Sequence, residues 1–411
     1  MKERIKDFAG NFYFEWICRK LKPEYDGPKQ GNFLLLPPSD LDGSFGDELM
    51  VASFVANFAK KAQVTIFTDH LIRRDDFLSQ YPQVKYQNGF QIRNYHRWAD
   101  ELKKATAVFI IGADALDGTY ASRHSVRFFR LAQMALKMGK PVYFAGFSVS
   151  KKLTGAAKVE MEHIAPFSLL KARDLDSYKR LSSFISEDSL LQVSDMAFLC
   201  PYNKQVEERN DFQQFKIWIE RQRKANRPIL AYCPNSIQAE KLGWPRYLAG
   251  QKRLLKAFMQ KSNVAILYLY HDARPLFDGK SDLDISRKLY QSHLEDEAPR
   301  VFFPEKVKNG VAVKSYLQYV DFTMTGRMHF GISGIAAGKP MFGICYANKF
   351  EGMLRLFDID PTVSLVDYTE METGEEIVDK FLNDIEKQYD HIGKNIEKVK
   401  QLALLNGQDI A

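Results

Sequence analysis

Residues 32–67 read NFLLLPPSDLDGSFGDELMVASFVANFAKKAQVTIF, and their alternation decides the fold. Phe33 to Leu36 offers water no polar position, which marks a short strand covered on both faces. A turn-rich loop, Ser39 to Leu49, follows it. Glu48 to Lys60 then reads as a helix, and Val64 to Phe67 is a second buried strand. A strand, a crossover helix and another strand make the repeating unit of a parallel sheet, since parallel neighbours cannot be joined by a tight turn.

The same order continues on either side of the midpoint. Ala107 to Gly112 (AVFIIG) is a strand, Val126 to Met138 a helix, and VYFAG after Gly139 and Pro141 a further strand. After a charged stretch the pattern restarts with PILAYCP, a helix through Leu254 to Met259, VAILYLY, a helix from Leu283 to His293, RVFFP, a strand near Phe322 to Met324, a helix beginning near Arg327, and MFGICY. The expected fold is α/β, two Rossmann-like domains with parallel sheets. A chain of 411 residues is also too long for one ordinary core. The expected segments are an amphipathic helix in 1–31, a first Rossmann-like domain in 32–205, a charged linker helix in 206–227, a second domain in 228–365, and helices in 366–411.

Composition narrows the function classes. Hydrophobic content of 45% with 27% charged residues belongs to a fully folding globular chain. The formal charge of +7 suits acidic small molecules or an anionic membrane face and falls short of a nucleic-acid binder. Four scattered cysteines form no CxxC pair, so neither zinc nor a disulfide framework is expected, and a reducing cytoplasm follows. No signal core precedes the chain's first charged residues, and no apolar run reaches the roughly 20 residues of a membrane span. The first helix carries Phe8, Phe12, Trp16 and Ile17 among charges and ends at Pro23. Two readings stay open for it: packing on its own domain, or docking on a partner or a membrane surface.

In open parallel sheets, ligands bind beyond the carboxyl ends of strands. TGRMHFGISGIAAGKP, residues 325–340, takes that position, with a strand ending near Thr325 and a helix starting near Arg327. Helix-start N–H groups, an arginine and a histidine together suit a small anion. The loop of residues 39–49 is of the same kind, yet lacks GxGxxG and GxxxxGKS, so no dinucleotide fingerprint or P-loop is present. Loops GADALDGTYASRH and YHDARPLFDGKSDLD face the same way. The second fails the EF-hand spacing, and its His271 and Arg274 read as members of an anion-binding cleft. No HExxH and no serine elbow occur, and no metal is expected.

Taken in order, these stretches resemble the polysaccharide pyruvyl transferase family. The resemblance rests on GSFGDEL, on GRMHFGISGIAAGKPMFGICYANK, and more weakly on IGADAL, ARDLDSYKRL, VSDMAF and HDARPLFDGKSDLD, from about Leu34 to Lys349. It implies a GT-B-like arrangement with the active site in an interdomain cleft, the first domain on the acceptor side and the second on the donor side. The implied reaction moves the enolpyruvyl group of phosphoenolpyruvate onto two hydroxyls of a sugar, forming a pyruvate ketal and releasing phosphate, without a cofactor. The acceptor would belong to a polysaccharide or its lipid-linked precursor, placing the enzyme in the cytoplasm or at the inner membrane face.

Arg327 and His329 match the family's donor-binding pair. His329 is then either the acid that protonates the methylene carbon or a neutraliser of the leaving phosphate. Asn235, His271, Arg274, Tyr346 and Lys349 complete the implied donor site. Asp47, Asp114 and Asp117 are candidates to deprotonate the incoming hydroxyl, with Ser44 beside them on the acceptor side. The chain departs from the family where a further arginine commonly follows the second domain's first strand. Here Asn235 stands at that turn, with Lys241 and Arg246 further along. The alternatives are a GT-B-type glycosyltransferase using a nucleotide sugar and a non-catalytic glycan-binding subunit.

Overall fold

The computed structural model describes residues 12–23, 31–39, 41, 43–60, 62–69, 81–119, 122–274, 280–346 and 350–410. They form two compact units. One comprises Met1–Leu41, Val51–Met196 and Leu402–Ala411; the other joins Asp42–Met50 to Ala197–Gln401.

Unit 1 opens with helix α1 (12–20), whose Phe14, Ile17 and Cys18 are buried in this unit's core. Its five-stranded sheet is built from β1 (Asn32–Leu36), β2 (Gln63–Thr68), β3 (Val84–Asn88), β4 (Ala107–Ile110) and β5 (Val142–Phe144), ordered β3-β2-β1-β4-β5. All its pairings are parallel. Leu34, Leu35 and Leu36 are essentially inaccessible, as continuous apolar strands between helical layers must be. Helices α2 (Phe45–Phe58), α3 (Tyr95–Lys104) and α4 (Ser122–Lys137) are its first crossovers. A parallel pair, β6 (Leu170–Ala172) and β7 (Leu190–Gln192), flanked by α5 (Gly155–Ile164) and α6 (Leu175–Leu181), joins the sheet through bridges at Ala113, Phe147 and Ala172.

The longer segment of unit 2, from Ala197, leads through α7 (Asn210–Lys224) into a six-stranded parallel sheet. Its strands are β8 (Ile229–Cys233), β9 (Ala265–Tyr268), β10 (Val301–Phe302), β11 (Phe322–Thr325), β12 (Met341–Cys345) and β13 (Leu365–Asp367), ordered β10-β9-β8-β11-β12-β13. Around them stand α8 (Ser236–Leu242), α9 (Trp244–Ser262), α10 (Asp282–Glu297), α11 (Gly310–Leu317), α12 (Met328–Ala336), α13 (Glu351–Arg355) and α14 (Glu375–Leu404). The chain leaves β8 for β9 on one side and returns to β11 on the other. The loops after β8 and β11 therefore diverge and open a crevice at the strands' carboxyl ends.

The units are cut differently from the segments expected along the chain. Residues 206–227 are not a surface linker: Phe212, Phe215, Trp218 and Ile219 put one apolar stripe of α7 into unit 2's core. Charge on the other face hid that stripe. The loop after β1 passes from unit 1 into unit 2 after Leu41, and α2, which begins at Phe45, ahead of the expected Glu48, stays in unit 2 as far as Met50. Among the described residues no helix is long and apolar enough to cross a membrane, and the cysteines are unpaired.

The last residues of the chain are a latch on unit 1. Asn406, fully buried, accepts from Gly146 N at 2.6 Å and donates to Ser194 O at 3.0 Å. Buried Lys171 donates to Asn406 O at 2.7 Å and to Asp409. Asn406→Ala leaves two buried backbone groups unpaired, each costing about 1–3 kcal/mol. A thermal melt should show unit 1 losing about 2–6 kcal/mol, whereas Gln408→Ala, two residues on, should leave it unchanged.

Candidate functional site

The crevice of unit 2 is organised around one guanidinium. Arg327 is the N-cap residue of α12, its N–H donating to Thr325 Oγ1 at 2.9 Å. Its side chain turns one edge toward Asp282, with Nε to Oδ2 at 2.8 Å and Nη2 to Oδ1 at 2.7 Å. Nη2 also reaches Ser236 Oγ at 2.9 Å and Asp272 Oδ2 at 3.4 Å. Nη1 takes no hydrogen bond among the described residues. The fork is thus gripped along its Nε/Nη2 edge.

Asp282 opens α10, is fully buried, and accepts from Ser236 N at 2.8 Å. Ser281 and Asp284 fix that helix start by a reciprocal capping box. Burial pushes the Asp282 carboxyl up, and Arg327 only partly offsets it. Burial would raise Asp272 as well, but Arg327 and Arg274 together outweigh it and hold Asp272 below the usual carboxylate range. Arg274 binds Asp272 through Nε at 3.0 Å and Nη2 at 2.5 Å. Two guanidinium charges, Arg327 and Arg274, stand against two carboxylates, Asp272 and Asp282: the cluster balances before any ligand arrives.

His271 lies edge-on between the rings of Phe45 and Phe330, with centroid distances of 6.1 and 6.0 Å. Burial, then the neighbouring His329 and Arg327, pulls its pKa well below the usual value, so the ring is neutral. Its Nε2 is buried with no hydrogen-bond partner among the described residues.

The GSFGDEL loop reaches the same crevice. Ser44 bridges to Asp272, Ala273 N donates to Gly43 O at 3.0 Å, and Phe45 N donates to His271 O at 3.2 Å. Gly46 lies against His329 so closely that a Cβ there would collide with Nδ1 and the ring. Glu48, buried, accepts from Gly310 N at 3.0 Å and so caps α11, where a Cβ on Gly310 would strike the Phe45 carbonyl. Ser44 Oγ donates to Asp47 at 2.8 Å, and Asp47 acts electrostatically on Arg274. The motif seats a histidine and ties two helix starts together.

Arg327, His329, His271, Arg274, Ser44 and Asp47 are therefore neighbours in one unit. Ser44 and Asp47 were expected on the first domain; the passage of their loop into unit 2 moves them. Asn235 is not a substitute cation. It caps α8, accepting from Ile237 N at 2.9 Å, and its Nδ2 donates to Gly326 O at 2.7 Å. Arg246 turns away to Glu372 and Thr369 O, while Lys241 lies 4.9 Å from the centre of the Tyr346 ring, just past β12. Asp114 and Asp117 lie in unit 1 beyond β4, where Asp117 accepts from Thr119 N and Ser150 N. Lys349 lies outside the described residues. Sequence reasoning gave Asp272 and Ser236 no role and weighed Asp282 only as a calcium ligand, although both aspartates stand in the loop it singled out. Among the described residues no group of three or more His, Cys, Asp or Glu is placed to hold a metal.

The profile of the polysaccharide pyruvyl transferase family matches residues 45–348, well over half of the chain. The chain belongs to that family. No curated protein sequence matches it. Among solved structures it is similar to a S. aureus MnaA–UDP co-structure at 12% identity, covering 91% of this chain and 94% of that one, with a TM-score of 0.58. UDP-GlcNAc 2-epimerase from Neisseria meningitidis, bound to UDP-GlcNAc, aligns at 12% identity over 91% and 98%, TM-score 0.55. A glycosyltransferase from Rickettsia africae ESF-5 aligns at 10% over 93% and 98%, TM-score 0.56. These likenesses establish the fold class, GT-B-like with two Rossmann-like units.

Two outcomes check the site's electrostatics. Asp282→Asn removes the bidentate carboxylate of a buried guanidinium, leaves it only the longer carboxylate contact with Asp272, and should destabilise unit 2 by about 3–5 kcal/mol in denaturant unfolding. His271 binds a proton when unfolded but not when folded, so stability should fall as pH drops below about 6.5, by about 1.4 kcal/mol per unit for this residue. His271→Gln should remove that part of the slope.

Proposed function

We propose that this chain transfers the enolpyruvyl group of phosphoenolpyruvate to a sugar, forming a pyruvate ketal and releasing phosphate. The observation that carries the reading is the oriented Arg327 fork, with Nη1 unengaged at the start of α12 and His329 two residues on. Phosphoenolpyruvate has a carboxylate and a phosphate on one carbon. A fixed donor pair and the first-turn N–H groups of a helix match such an anion.

In this reading His329 protonates the methylene carbon, and C2 becomes an oxocarbenium-like centre that a sugar hydroxyl attacks. The C2–O–phosphate bond then breaks, and a second hydroxyl closes the ketal. Of the two hydroxyl protons, one ends on the new methyl group and the other on phosphate. Arg327 Nη1 donates hydrogen bonds to the departing phosphate. Asp47 is the carboxylate we assign to taking the hydroxyl proton, since Asp117 is committed to backbone N–H groups. The acceptor is a glycan, free or carried on a lipid precursor.

The test is incubation with phosphoenolpyruvate and candidate glycans. Phosphate release with a new acid-labile anionic group on the glycan supports the proposal; nucleoside diphosphate release from a nucleotide sugar, without turnover of phosphoenolpyruvate, overturns it. His329→Gln should lower kcat by about 10²–10⁴-fold, the usual contribution of a positioned proton donor. Arg327→Lys, which keeps a cation but loses the fork, should chiefly raise KM for phosphoenolpyruvate. Unchanged biological output from both variants, correctly folded, would point to a non-catalytic glycan-binding role.

A further inference from the structure

Helix α1 has two faces. Phe14, Ile17 and Cys18 point into unit 1, and burial pushes the Cys18 thiol up to about 11. The opposite side is a continuous stripe at helical spacing, Phe12, Glu15, Trp16, Arg19 and Lys20, all exposed, with exposed Lys22 just beyond. Phe12 is 69% accessible and Trp16 42%, high values for large aromatics with a core available beneath them. Tyr13 stacks on Trp16 at 6.1 Å, and Lys20 Nζ lies 3.4 Å from the centre of the Trp16 ring. Three cations and one carboxylate therefore surround two outward aromatic rings.

We infer that this face of α1 docks unit 1 on an anionic lipid surface. An apolar ring that must stay wet in the folded protein is stabilised at the boundary of headgroups and acyl chains, where tryptophan is favoured. Arg19, Lys20 and Lys22 would meet the lipid phosphates, each worth about fivefold in binding. A protein partner would need only the apolar part, whereas the basic rim around the rings specifies negative charge. The helix cannot insert deeply, because its other face is committed to the core. The contact is therefore shallow, reversible and salt-sensitive. It is independent of the donor chemistry proposed above, and it would bring the enzyme to acceptors that are themselves lipid-borne.

Sedimentation of the full chain with vesicles tests it. The protein should partition onto equimolar phosphatidylcholine and phosphatidylglycerol, and far less onto phosphatidylcholine alone. Binding should be lost at 1 M salt, where the screening length is about 3 Å. Phe12→Ser with Trp16→Ser should lower binding at least tenfold, and Arg19→Glu with Lys20→Glu about twentyfold or more. All four side chains are exposed, so both variants should keep the wild-type melting curve, and phosphate release from phosphoenolpyruvate with a soluble glycan should not change. Equal partitioning onto both vesicle types, or variants that bind as the wild type does, would overturn the inference. So would a dimer in the absence of lipid that the aromatic substitutions dissolve, which would assign the face to a second copy of this chain.

Discussion

A buried carboxylate facing an arginine is the constraint on which unit 2's candidate site depends. Asp282 is wholly withdrawn from water and has Arg327 as its counter-ion. A carboxylate in that position is tolerable only while the bidentate contact persists, because the desolvation cost of either ion alone is several kcal/mol. That dependence runs both ways. Arg327 cannot swing away without stranding Asp282, so any ligand would have to come to where Nη1 already lies. The pair contributes orientation more than stability.

Around this pair the fold draws together chain segments that are far apart in sequence. β11 ends at Thr325 and delivers Arg327, β8 ends at Cys233 and delivers Asn235 and Ser236, and β9 leads into His271, Asp272 and Arg274. The loop after β1 adds Gly46, whose missing side chain is the space the His329 ring occupies. The contributions of β8, β9 and β11 come from the carboxyl ends of parallel strands, so the topology of unit 2's sheet sets most of the constellation. The family motif then has a mechanical reading: its glycine seats the histidine, its glutamate caps α11, and its aspartate lies in the field of Arg274.

The central strands were legible because burial on both faces keeps them almost wholly apolar. AVFI, ILAYC, AILY and MFGIC each appear where an unbroken apolar run stood, and VTIF where one threonine interrupts it, whereas β3, VKYQN, is polar and half exposed and gave no such signal. Arg327 and His329 were legible as well, because a strand-to-helix junction with cations in front of small residues has few structural explanations. Their carboxylate partners were not, since no short spacing links Asp272 and Asp282 to an arginine some fifty residues away, and aspartates in a polar loop look like solvated ones. The charged face of α7 concealed its apolar stripe for a related reason: composition averages over a helix, while packing acts on one side of it. Ser44 and Asp47 were given to the wrong unit because sequence order places them between two strands of unit 1.

The charge balance of the cluster constrains any anion that binds there. An unpaired arginine would attract a phosphorylated acid more strongly, but through a side chain free to follow it. Here the long-range pull is cancelled by Asp272 and Asp282, and what remains is short-range: two N–H bonds of one guanidinium nitrogen, the opening turn of α12, and His329. Such a site discriminates by geometry, because an anion gains only when it lies in line with Nη1. The missing second arginine at Asn235 fits the same logic. A further cation would restore nonspecific attraction, whereas Asn235 spends its amide on Gly326 and thereby fixes the backbone just ahead of Arg327. Under the proposed reaction, the phosphate is released as readily as it is held, since no surplus positive charge in the cluster retains it.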